Sequence, residues 1–406
     1  MSNTIQTLKG FRDFLPQTMA IRSRVINILK GVFEKYGFSE LQTPTLEYTE
    51  VLTGKYGQEA EKLMYLFKDP GGRDVGLKYD LTVPLARVMA QYPNLPKPFK
   101  RYQIQSAFRA ENTQKSRYRE FYQCDIDTVG SVSPLVDAEI LAIISDSLTA
   151  LDFKDFQIRI NSRRILFSIT KDLSVLQTID KLDKKSIDEV KQELSQKGIS
   201  ANEIQNIFTG LKSVRPDENL QQIIGIAQKL GAKNVVFDPR LVRGLDYYTG
   251  AIFETVVTEP KIGSITGGGR YDNLIKSLGG PDLPAVGTTL GLDRICDVIE
   301  ELNLWSNISP TSTRVLVTIF SPELLNKSIE LSTKLRQANI ATELYPDDRT
   351  KLEKQLKYAN VKGIPFVAIL GPEEAAKDTI KFKDMKTGEQ EDLKIEELLN
   401  YLKIEN

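Results

Sequence analysis

The stretch FRAENTQKSRYREFYQCDID, residues 108–127, overlaps two runs in which apolar and polar residues alternate. The first run extends from Arg101 to Arg109 and the second from Phe121 to Asp127. Alternation with a period of two is typical of a β-strand that has one apolar and one polar face. The two runs and the polar segment between them therefore predict a β-hairpin.

The polar face of this predicted hairpin carries Arg109, Phe121, Gln123 and Asp127. An arginine suits a phosphate, an aromatic ring offers a flat surface, and the amide and carboxylate can hydrogen-bond a polar molecule. This combination favours a site for a nucleotide and a polar small molecule. The alternative is a solvated face with surface salt bridges, which is the better interpretation for an arbitrary charge-rich hairpin.

The composition limits the chemistry that this chain can perform. Lys+Arg and Asp+Glu balance at 54 each in 406 residues, so any RNA contact must come from local basic patches. The chain contains no histidine, which excludes Ser-His-Asp and Cys-His catalysis, histidine-ligated zinc and a histidine general base. Catalysis must therefore use arginines, carboxylates, tyrosines and the charges of a substrate.

Cysteine spacing and hydropathy indicate the cellular setting. The only cysteines, Cys124 and Cys296, have no metal-binding spacing, which favours a reducing, cytoplasmic environment. The N-terminal residues contain no apolar run of signal-peptide length, and no later run is long enough for a bilayer. We therefore expect no association with a membrane.

The chain is long enough for two or three domains. Residues 1–170 and 233–305 are predicted to form one core, interrupted by a helical insertion at 171–232, and a linker at 306–313 rich in Ser, Thr and Pro precedes an α/β domain at 314–406. Apolar spacing predicts helices at 17–36, 137–151, 322–338, 349–360 and 391–402, and strands at 75–79, 234–237, 251–257, 315–320, 341–345, 366–370 and 379–382.

Three further segments carry candidate functional residues. Arg243 opens RGLDYYTG, in which Tyr247 and Tyr248 would point to opposite faces of an extended chain; an ordinary half-buried aromatic pair is equally compatible. Gly267–Gly269 predicts a turn, which would either let the backbone approach a ligand closely or be a plain connection. Arg294, near the N-terminus of a predicted helix at 295–302, suits a phosphate. None of the three identifies a function alone.

In this order, the segments resemble the motifs of class II aminoacyl-tRNA synthetases and, within that class, the histidyl-tRNA synthetase family. Residues 108–127 are similar to the second class motif, Ala285–Ile295 to the third, and Leu41–Glu47 with Pro44 to the first, which lies at the dimer interface in that class. Leu241–Gly250 and Thr266–Leu274 resemble two signatures of the histidine family, as does KGFRDFLP at 9–16. The resemblance covers nearly the whole chain and is weakest over 171–230.

The resemblance implies a mixed α/β (α+β) fold, with an antiparallel-sheet catalytic domain, a helical insertion and a C-terminal α/β anticodon-binding domain. It implies a cytoplasmic ligase that activates L-histidine with ATP, accompanied by Mg²⁺, and transfers it from the adenylate to the 3′ end of histidine tRNA. A homodimer is expected. Activation requires no general base, because a carboxylate is already a nucleophile, and catalysis then consists of positioning and charge stabilisation.

By the same resemblance, the residues of the site fall into two groups. Those implied for ATP are Arg109, Glu111, Arg117, Phe121 and Arg294. Those implied for histidine are Asp80, Thr82, Arg109, Gln123, Asp127, Arg243, Tyr247, Tyr248 and Tyr271. Asp80, Thr82 and Gln123 match groups that hold the α-ammonium, whereas Asp127, Tyr248 and Tyr271 match the imidazole pocket. Arg243 and Arg109 match catalytic positions, with Arg243 stabilising charge on the α-phosphate.

Three alternatives are open. A synthetase-like regulatory subunit of ATP phosphoribosyltransferase usually has degraded motifs and no full anticodon domain, whereas Arg109, Glu111, Arg243, Arg294 and residues 314–406 are present here. A class II synthetase for threonine, proline or glycine would share the C-terminal module, but the threonine enzyme is expected to carry a Cys/His zinc site. A purely RNA-binding protein leaves the Arg/Glu/Gln/Asp pocket unexplained.

Overall fold

The computed structural model of the chain describes residues 5–53, 61–113, 116–183, 185–242, 247–305 and 308–404. It divides into two compact units, Met1–Asp13 with Arg24–Trp305 and Phe14–Ser23 with Ser306–Asn406. The mixed α and β composition agrees with the predicted α+β fold class.

The elements before the second unit's main segment follow one another in chain order. They are α1 (Pro16–Lys35), β1 (Ser39–Glu40), β2 (Leu46–Tyr48), α2 (Thr49–Leu52), β3 (Leu66–Lys68), β4 (Asp74–Leu77), α3 (Thr82–Gln91), β5 (Phe99–Phe108), β6 (Glu120–Val129), α4 (Pro134–Ala150), β7 (Phe156–Ser162), α5 (Arg163–Ile169), α6 (Leu173–Ile179), α7 (Ile187–Gln196), α8 (Ala201–Ser213), α9 (Glu218–Lys229), β8 (Val235–Phe237), β9 (Ala251–Val257), β10 (Thr266–Arg270), α10 (Leu274–Ser277), β11 (Ala285–Gly291) and α11 (Leu292–Glu301).

An eight-stranded sheet forms the centre of the first unit, in the order β1-β5-β6-β11-β10-β9-β7-β8. Its strands pair antiparallel except at the two ends, where β1 pairs with β5 and β8 with β7 in parallel. The predicted hairpin is confirmed as β5 and β6, whose register runs from Phe99 opposite Val129 to Phe108 opposite Glu120. The polar runs therefore lie near the middle of the sheet.

Helices α4 and α11 pack against the strands that carry the hairpin. Helix α4 begins after Ser133, whose side chain accepts a hydrogen bond from Leu135 N, and it contacts β11 with a largely buried apolar sequence. Helix α11 follows β11 without a loop and contacts both β6 and β11. These contacts hold β6 and β11 side by side.

The residues between β7 and β8 are largely helical, as the sequence predicted for the insertion. Helices α7 and α8 both start with a capping box, in which Ser186 pairs with Glu189 and Ser200 with Glu203. Their buried apolar residues join the core of the first unit. Among the described residues, no helix is long and apolar enough to cross a membrane.

A small sheet, β2-β4-β3, completes the first unit. Both of its pairings are antiparallel, and Tyr48 and Phe67 lie opposite Val75 on its two sides. Leu46, Tyr48 and Phe67 are 44%, 51% and 46% exposed, so this sheet presents large apolar side chains outward.

The second unit contains a five-stranded sheet in the order β13-β12-β14-β15-β16. Its elements are β12 (Val315–Val317), α12 (Leu325–Gln337), β13 (Thr342–Leu344), α13 (Leu352–Lys362), β14 (Phe366–Ile369), α14 (Pro372–Lys377), β15 (Ile380–Asp384), β16 (Gln390–Leu393) and α15 (Ile395–Ile404). Strands β13, β12 and β14 are parallel, and β15 and β16 are antiparallel. Two apolar clusters of buried residues form its core.

Two predictions of helices in this unit were wrong in detail. Residues 391–402 do not form one helix, because Gln390–Leu393 pairs with β15 and only the following residues are helical. The predicted helix at 322–338 begins with a short 3₁₀ turn, Pro322–Leu324, before α12. The exposed, charged sequence of β16 lacks the apolar alternation that identifies a strand.

Candidate active site

The polar face of the β5–β6 hairpin is buried. Its register places Arg101 opposite Asp127 and Gln105 opposite Gln123, so these side chains share one face of the sheet. Arg101, Gln123 and Asp127 are 0%, 5% and 2% exposed. The alternative of a solvated hairpin face with surface salt bridges is therefore wrong. Burial of so many polar groups is costly unless they are paired, and they are paired with one another.

Asp127 is held on both carboxylate oxygens. The Tyr271 hydroxyl donates a hydrogen bond to Oδ1, and Arg101 Nη2 lies 2.8 Å from Oδ2. On the neighbouring strand Gly287 lies opposite Asp127, and a Cβ there would be 1.9 Å from Oδ1. Burial raises the pKa of Asp127, while the positive charge of Arg101 opposes that rise. The result is a carboxylate with a fixed position.

Arg101 and Asp125 were missing from the predicted site. Arg101 Nη1 donates to Gln103 Oε1 at 3.1 Å, and Asp125 Oδ2 is 3.8 Å from Arg101 Nη2. Burial raises the pKa of Asp125 to about 7, and the charge of Asp127 raises it further while Arg101 lowers it. Alternation already placed both residues on the polar face, but it does not predict how deeply a face is buried.

Three tyrosines lie beside this carboxylate. The ring centroids of Tyr247 and Tyr248 are 5.0 Å apart, and those of Tyr247 and Tyr271 are 5.9 Å apart. Tyr247 and Tyr248 lie outside the strands, and their rings are in contact instead of on opposite faces of an extended strand. Tyr248 and Tyr271 are buried. They form an aromatic wall with a hydroxyl directed at Asp127.

The glycines at 267–269 do not form the predicted turn but lie within β10. A Cβ at Gly269 would be 2.6 Å from Ala251 O and 2.8 Å from the ring of Tyr248. The close approach predicted for a ligand is thus an approach of the neighbouring strand and of a site tyrosine. Glycine is required there because no side chain fits.

Asp80 and Thr82 lie at the start of α3. Asp80 Oδ1 accepts hydrogen bonds from the backbone N–H groups of Thr82 and Val83, at 3.1 and 3.0 Å. The carbonyl of Leu81 between them accepts a 3.1 Å hydrogen bond from Arg101 Nη2. The predicted ammonium-binding loop and the Asp127 carboxylate are therefore connected through one guanidinium.

Arg109 occupies the other end of the hairpin. Its guanidinium carbon lies 4.4 Å from the ring centroid of Tyr79 and 5.0 Å from that of Phe121, and Nε donates to Tyr79 O at 3.2 Å. Beyond it, Arg117 Nε lies 2.9 Å from Glu111 Oε2. Cations and an aromatic ring thus lie together where β5 ends and β6 begins.

Helix α11 brings Arg294 to this end of the hairpin. Arg294 donates hydrogen bonds to the carbonyls of Ser116, at 3.5 Å, and Ser264. The preceding residue, Asp293, accepts from Tyr122 N at 2.9 Å and from Arg12 at 2.6 Å. Arg294 therefore lies next to the residue that precedes Arg117, as expected for a second phosphate-binding cation.

The sequence RGLD at 243–246, including the predicted catalytic residue Arg243, lies outside the described residues. Within the described part of the chain, no group of three or more Asp, Glu, His or Cys side chains is arranged to hold a metal ion. Chemically, the site offers cations for phosphates at one end and carboxylates for a cationic molecule at the other.

Two sequence families match the chain. A family described as "Histidyl-tRNA synthetase" matches residues 10–295, and one described as "Anticodon binding domain" matches residues 314–405. Curated relatives named histidine–tRNA ligase include those of Korarchaeum cryptofilum, 39% identical over 97% of each chain, and Aeropyrum pernix, 41% identical over 90% of each.

Solved structures share the fold. The crystal structure of a histidyl-tRNA synthetase from Nostoc sp. PCC 7120 has a TM-score of 0.85 at 31% identity, and covers 99% of this chain and 100% of its own. A structure from Bacillus halodurans, described as an ATP phosphoribosyltransferase regulatory subunit/histidyl-tRNA synthetase, has a TM-score of 0.73 over 88% of this chain and 97% of its own. At 19% identity, that second likeness extends to the fold alone.

Proposed function

We propose, from the premise that the chain belongs to the histidyl-tRNA synthetase family, that the buried face of its central sheet is where histidine reacts with ATP. The chain is a histidine–tRNA ligase, which uses ATP to charge histidine tRNA. The observation that carries the placement of the site is Asp127, buried, held on both oxygens and bordered by tyrosines.

The histidine site extends from α3 to β10. We assign the imidazole to Asp127 and the tyrosines Tyr247, Tyr248 and Tyr271, and the α-ammonium to Asp80, Thr82 and Gln123. A carboxylate and a phenol that both require ring N–H or N partners disfavour apolar side chains of similar size, because those would leave buried polar groups unpaired. This polarity supports histidine as the amino acid.

The ATP site lies at the other end of the hairpin. We assign the phosphates to Arg109, Arg117 and Arg294, the adenine ring to Phe121, and a further ATP contact to Glu111. The placement of Arg109 beside Phe121 and of Arg294 beside Ser116 supports this assignment. One nucleotide could contact the three cations and the ring together.

Mg²⁺ is expected to enter with ATP. It usually keeps several waters and binds phosphates with only one or two carboxylates, so a site without a carboxylate cluster fits it. Glu111, beside Arg117, is the carboxylate among the assigned ATP residues that could contact such an ion. When bound, the ion would neutralise phosphate charge.

In the first step an oxygen of the histidine carboxylate attacks the α-phosphorus, and the bond from that phosphorus to the bridging oxygen of pyrophosphate breaks. Arg109 and Arg243 are assigned to the negative charge that develops on the α-phosphate. In the second step a hydroxyl at the 3′ end of the tRNA attacks the carbonyl carbon, and AMP leaves. No side chain needs to act as a histidine-type base in the first step, in agreement with a chain that has none.

The remaining parts of the chain support RNA binding and assembly. We propose that residues 314–406 bind the anticodon, as the match to an anticodon-binding family supports, and that 1–170 with 233–305 form the catalytic domain around the insertion at 171–232. We also propose a homodimer, supported by the exposed Leu46, Tyr48 and Phe67 next to the first motif. Two buried free cysteines support a reducing, cytoplasmic location.

The regulatory-subunit alternative is not favoured. Relatives named histidine–tRNA ligase match nearly the full length of this chain, including residues 314–406. A regulatory subunit would not activate an amino acid, so one measurement separates the two functions.

ATP–pyrophosphate exchange with each amino acid tests the function. We expect exchange with histidine alone, and Arg243→Ala should abolish it while measurable histidine binding remains. Exchange that requires another amino acid, or no exchange with any, would contradict the assignment. Retained exchange in Arg243→Ala would contradict only the role of that residue.

A further inference from the structure

Resting on the proposed function, we propose that Arg101 is a positioning residue for histidine, which fixes the ammonium-binding loop and the ring-reading carboxylate relative to each other. The same nitrogen, Nη2, donates to Leu81 O at 3.1 Å and lies 2.8 Å from Asp127 Oδ2. Leu81 lies between the two residues assigned to the ammonium. One side chain therefore connects both halves of the amino-acid site.

The position of Arg101 is itself fixed. The side chain is fully buried, and Nη1 donates to Gln103 Oε1 at 3.1 Å. Gln103 Nε2 in turn donates to Thr43 Oγ1 at 2.8 Å, on the segment that resembles the first motif. A guanidinium can make these bonds at once because its donors are planar and fork-shaped, which a lysine cannot reproduce.

Arg101 also keeps the charge on Asp127. The titratable groups of the described residues that face Asp127 are Asp125 on β6, Asp80 before α3, Tyr271 after β10 and Arg101 on β5. The carboxylates outnumber the guanidinium, so its loss would leave Asp125 and Asp127 adjacent and uncompensated. Burial would then shift one of them to its protonated form, and Asp127 would be a poorer acceptor for a ring N–H.

The test is Arg101→Gln, with histidine and ATP titrated separately in ATP–pyrophosphate exchange. We expect the histidine KM at pH 7 to rise about tenfold or more, the equivalent of about 1.4 kcal/mol, while the ATP KM stays within about twofold. The ratio of variant to native histidine KM should fall from pH 6.5 to pH 8.5, because Asp127 regains its charge at higher pH.

Asp125→Asn added to Arg101→Gln separates positioning from general support. Removing the charge of Asp125 lowers the pKa of Asp127 again, so the double variant should recover part of the histidine KM. A merely structural Arg101 would give losses that add. Arg159→Gln is the matched control, because Arg159 lies on β7 of the same sheet, 2.9 Å from Asp183, away from the histidine residues.

The outcomes are distinguishable. If neither the native chain nor Arg159→Gln shows histidine-dependent exchange, the proposed function fails. If both do, and a folded Arg101→Gln keeps its histidine KM within about twofold and the native pH profile, or changes both KM values together, the inference is wrong. Should Arg101→Gln not fold, Arg101→Lys retains the charge; we expect a severalfold higher histidine KM with no pH trend in the ratio, and a native KM would overturn the inference.

Discussion

At the scale of single residues, the carboxyl group of Asp125 makes the stability of the first unit depend on pH. Burial raises its pKa from 3.8 in the unfolded chain to about 7 in the fold. A raised pKa in the folded state means that the favourable contribution is complete below pH 4 and is lost as pH rises through 7. The group is therefore least favourable for folding above neutral pH.

Asp125→Asn replaces this carboxyl by a neutral group of the same shape. Relative to the native chain, the variant should gain stability between pH 5 and pH 8, by about 1 kcal/mol or more, because one pKa unit corresponds to about 1.4 kcal/mol. Urea denaturation of the ligand-free protein at both pH values measures this gain. Asp183→Asn, at a half-exposed carboxylate, is the control and should show no such gain. An equal effect of Asp125→Asn at both pH values would contradict the pKa shift.

The candidate site shows how far residues can be read from sequence. Gln123 and Asp127 were assigned to one face because they are four residues apart in a strand, and the register confirms this. Arg101 and Asp125 have the same alternation but were not singled out. Their importance comes from complete burial and from the neighbours Leu81 and Asp127, which are contacts across the fold that a local pattern does not contain.

At the scale of elements, β11 shapes the site without contributing a charged side chain. Gly287 lies opposite Asp127, and an added Cβ would meet Oδ1 at 1.9 Å and Ile126 O at 2.6 Å. A clash with both a side chain and backbone cannot be relieved by rotating Asp127 alone. The strand must therefore be bare at this position for the carboxylate to remain where it is.

Gly287→Ala should raise the histidine KM at least about tenfold and lower the free energy of unfolding by about 1–3 kcal/mol, the usual cost of overpacking. Histidine titration in the exchange assay and urea denaturation measure the two effects. Gly291→Ala in the same strand is the matched control, because its nearest backbone contact would be 3.4 Å away. Native histidine affinity in a folded Gly287→Ala would show that Asp127 does not depend on this strand.

Sequence patterns predicted elements best where apolar periodicity is strong. The β5–β6 hairpin and α1 have clear periods and were placed within a few residues. Gly267–Gly269 was predicted as a turn because glycine breaks strands, yet it is a central strand. The reason lies in Phe253, Tyr248 and Gly287 O, which occupy the space that side chains on β10 would need.

At the scale of the whole molecule, the small sheet β2-β4-β3 leaves Tyr48 and Phe67 half exposed on one face. Large exposed apolar side chains favour an interface. Tyr48→Glu with Phe67→Glu should convert the expected dimer to a monomer, as measured by light scattering after size-exclusion chromatography. Val132→Glu removes another exposed apolar residue and should leave the dimer intact. A native chain that is monomeric, or a double variant that stays dimeric, would contradict this interface.

The absence of histidine is a property of the whole chain and bears on its own supply. A ribosome that translates these 406 residues never requires the aminoacyl-tRNA that the enzyme produces. When charged histidine tRNA becomes scarce, synthesis of other proteins slows at their histidine codons, whereas synthesis of this chain meets no such codon. We therefore expect its production to continue during histidine starvation, which is when more enzyme is useful.

Pulse labelling during histidine starvation tests this expectation by measuring synthesis of the chain relative to histidine-containing proteins. Gln196→His introduces one histidine codon at an exposed position at the end of α7, and Gln196→Asn is the matched control without such a codon. The native chain and Gln196→Asn should keep their relative rate of synthesis, and Gln196→His should lose it. An equally steep fall in all three would mean that the absence of histidine gives no protection and is a matter of composition alone.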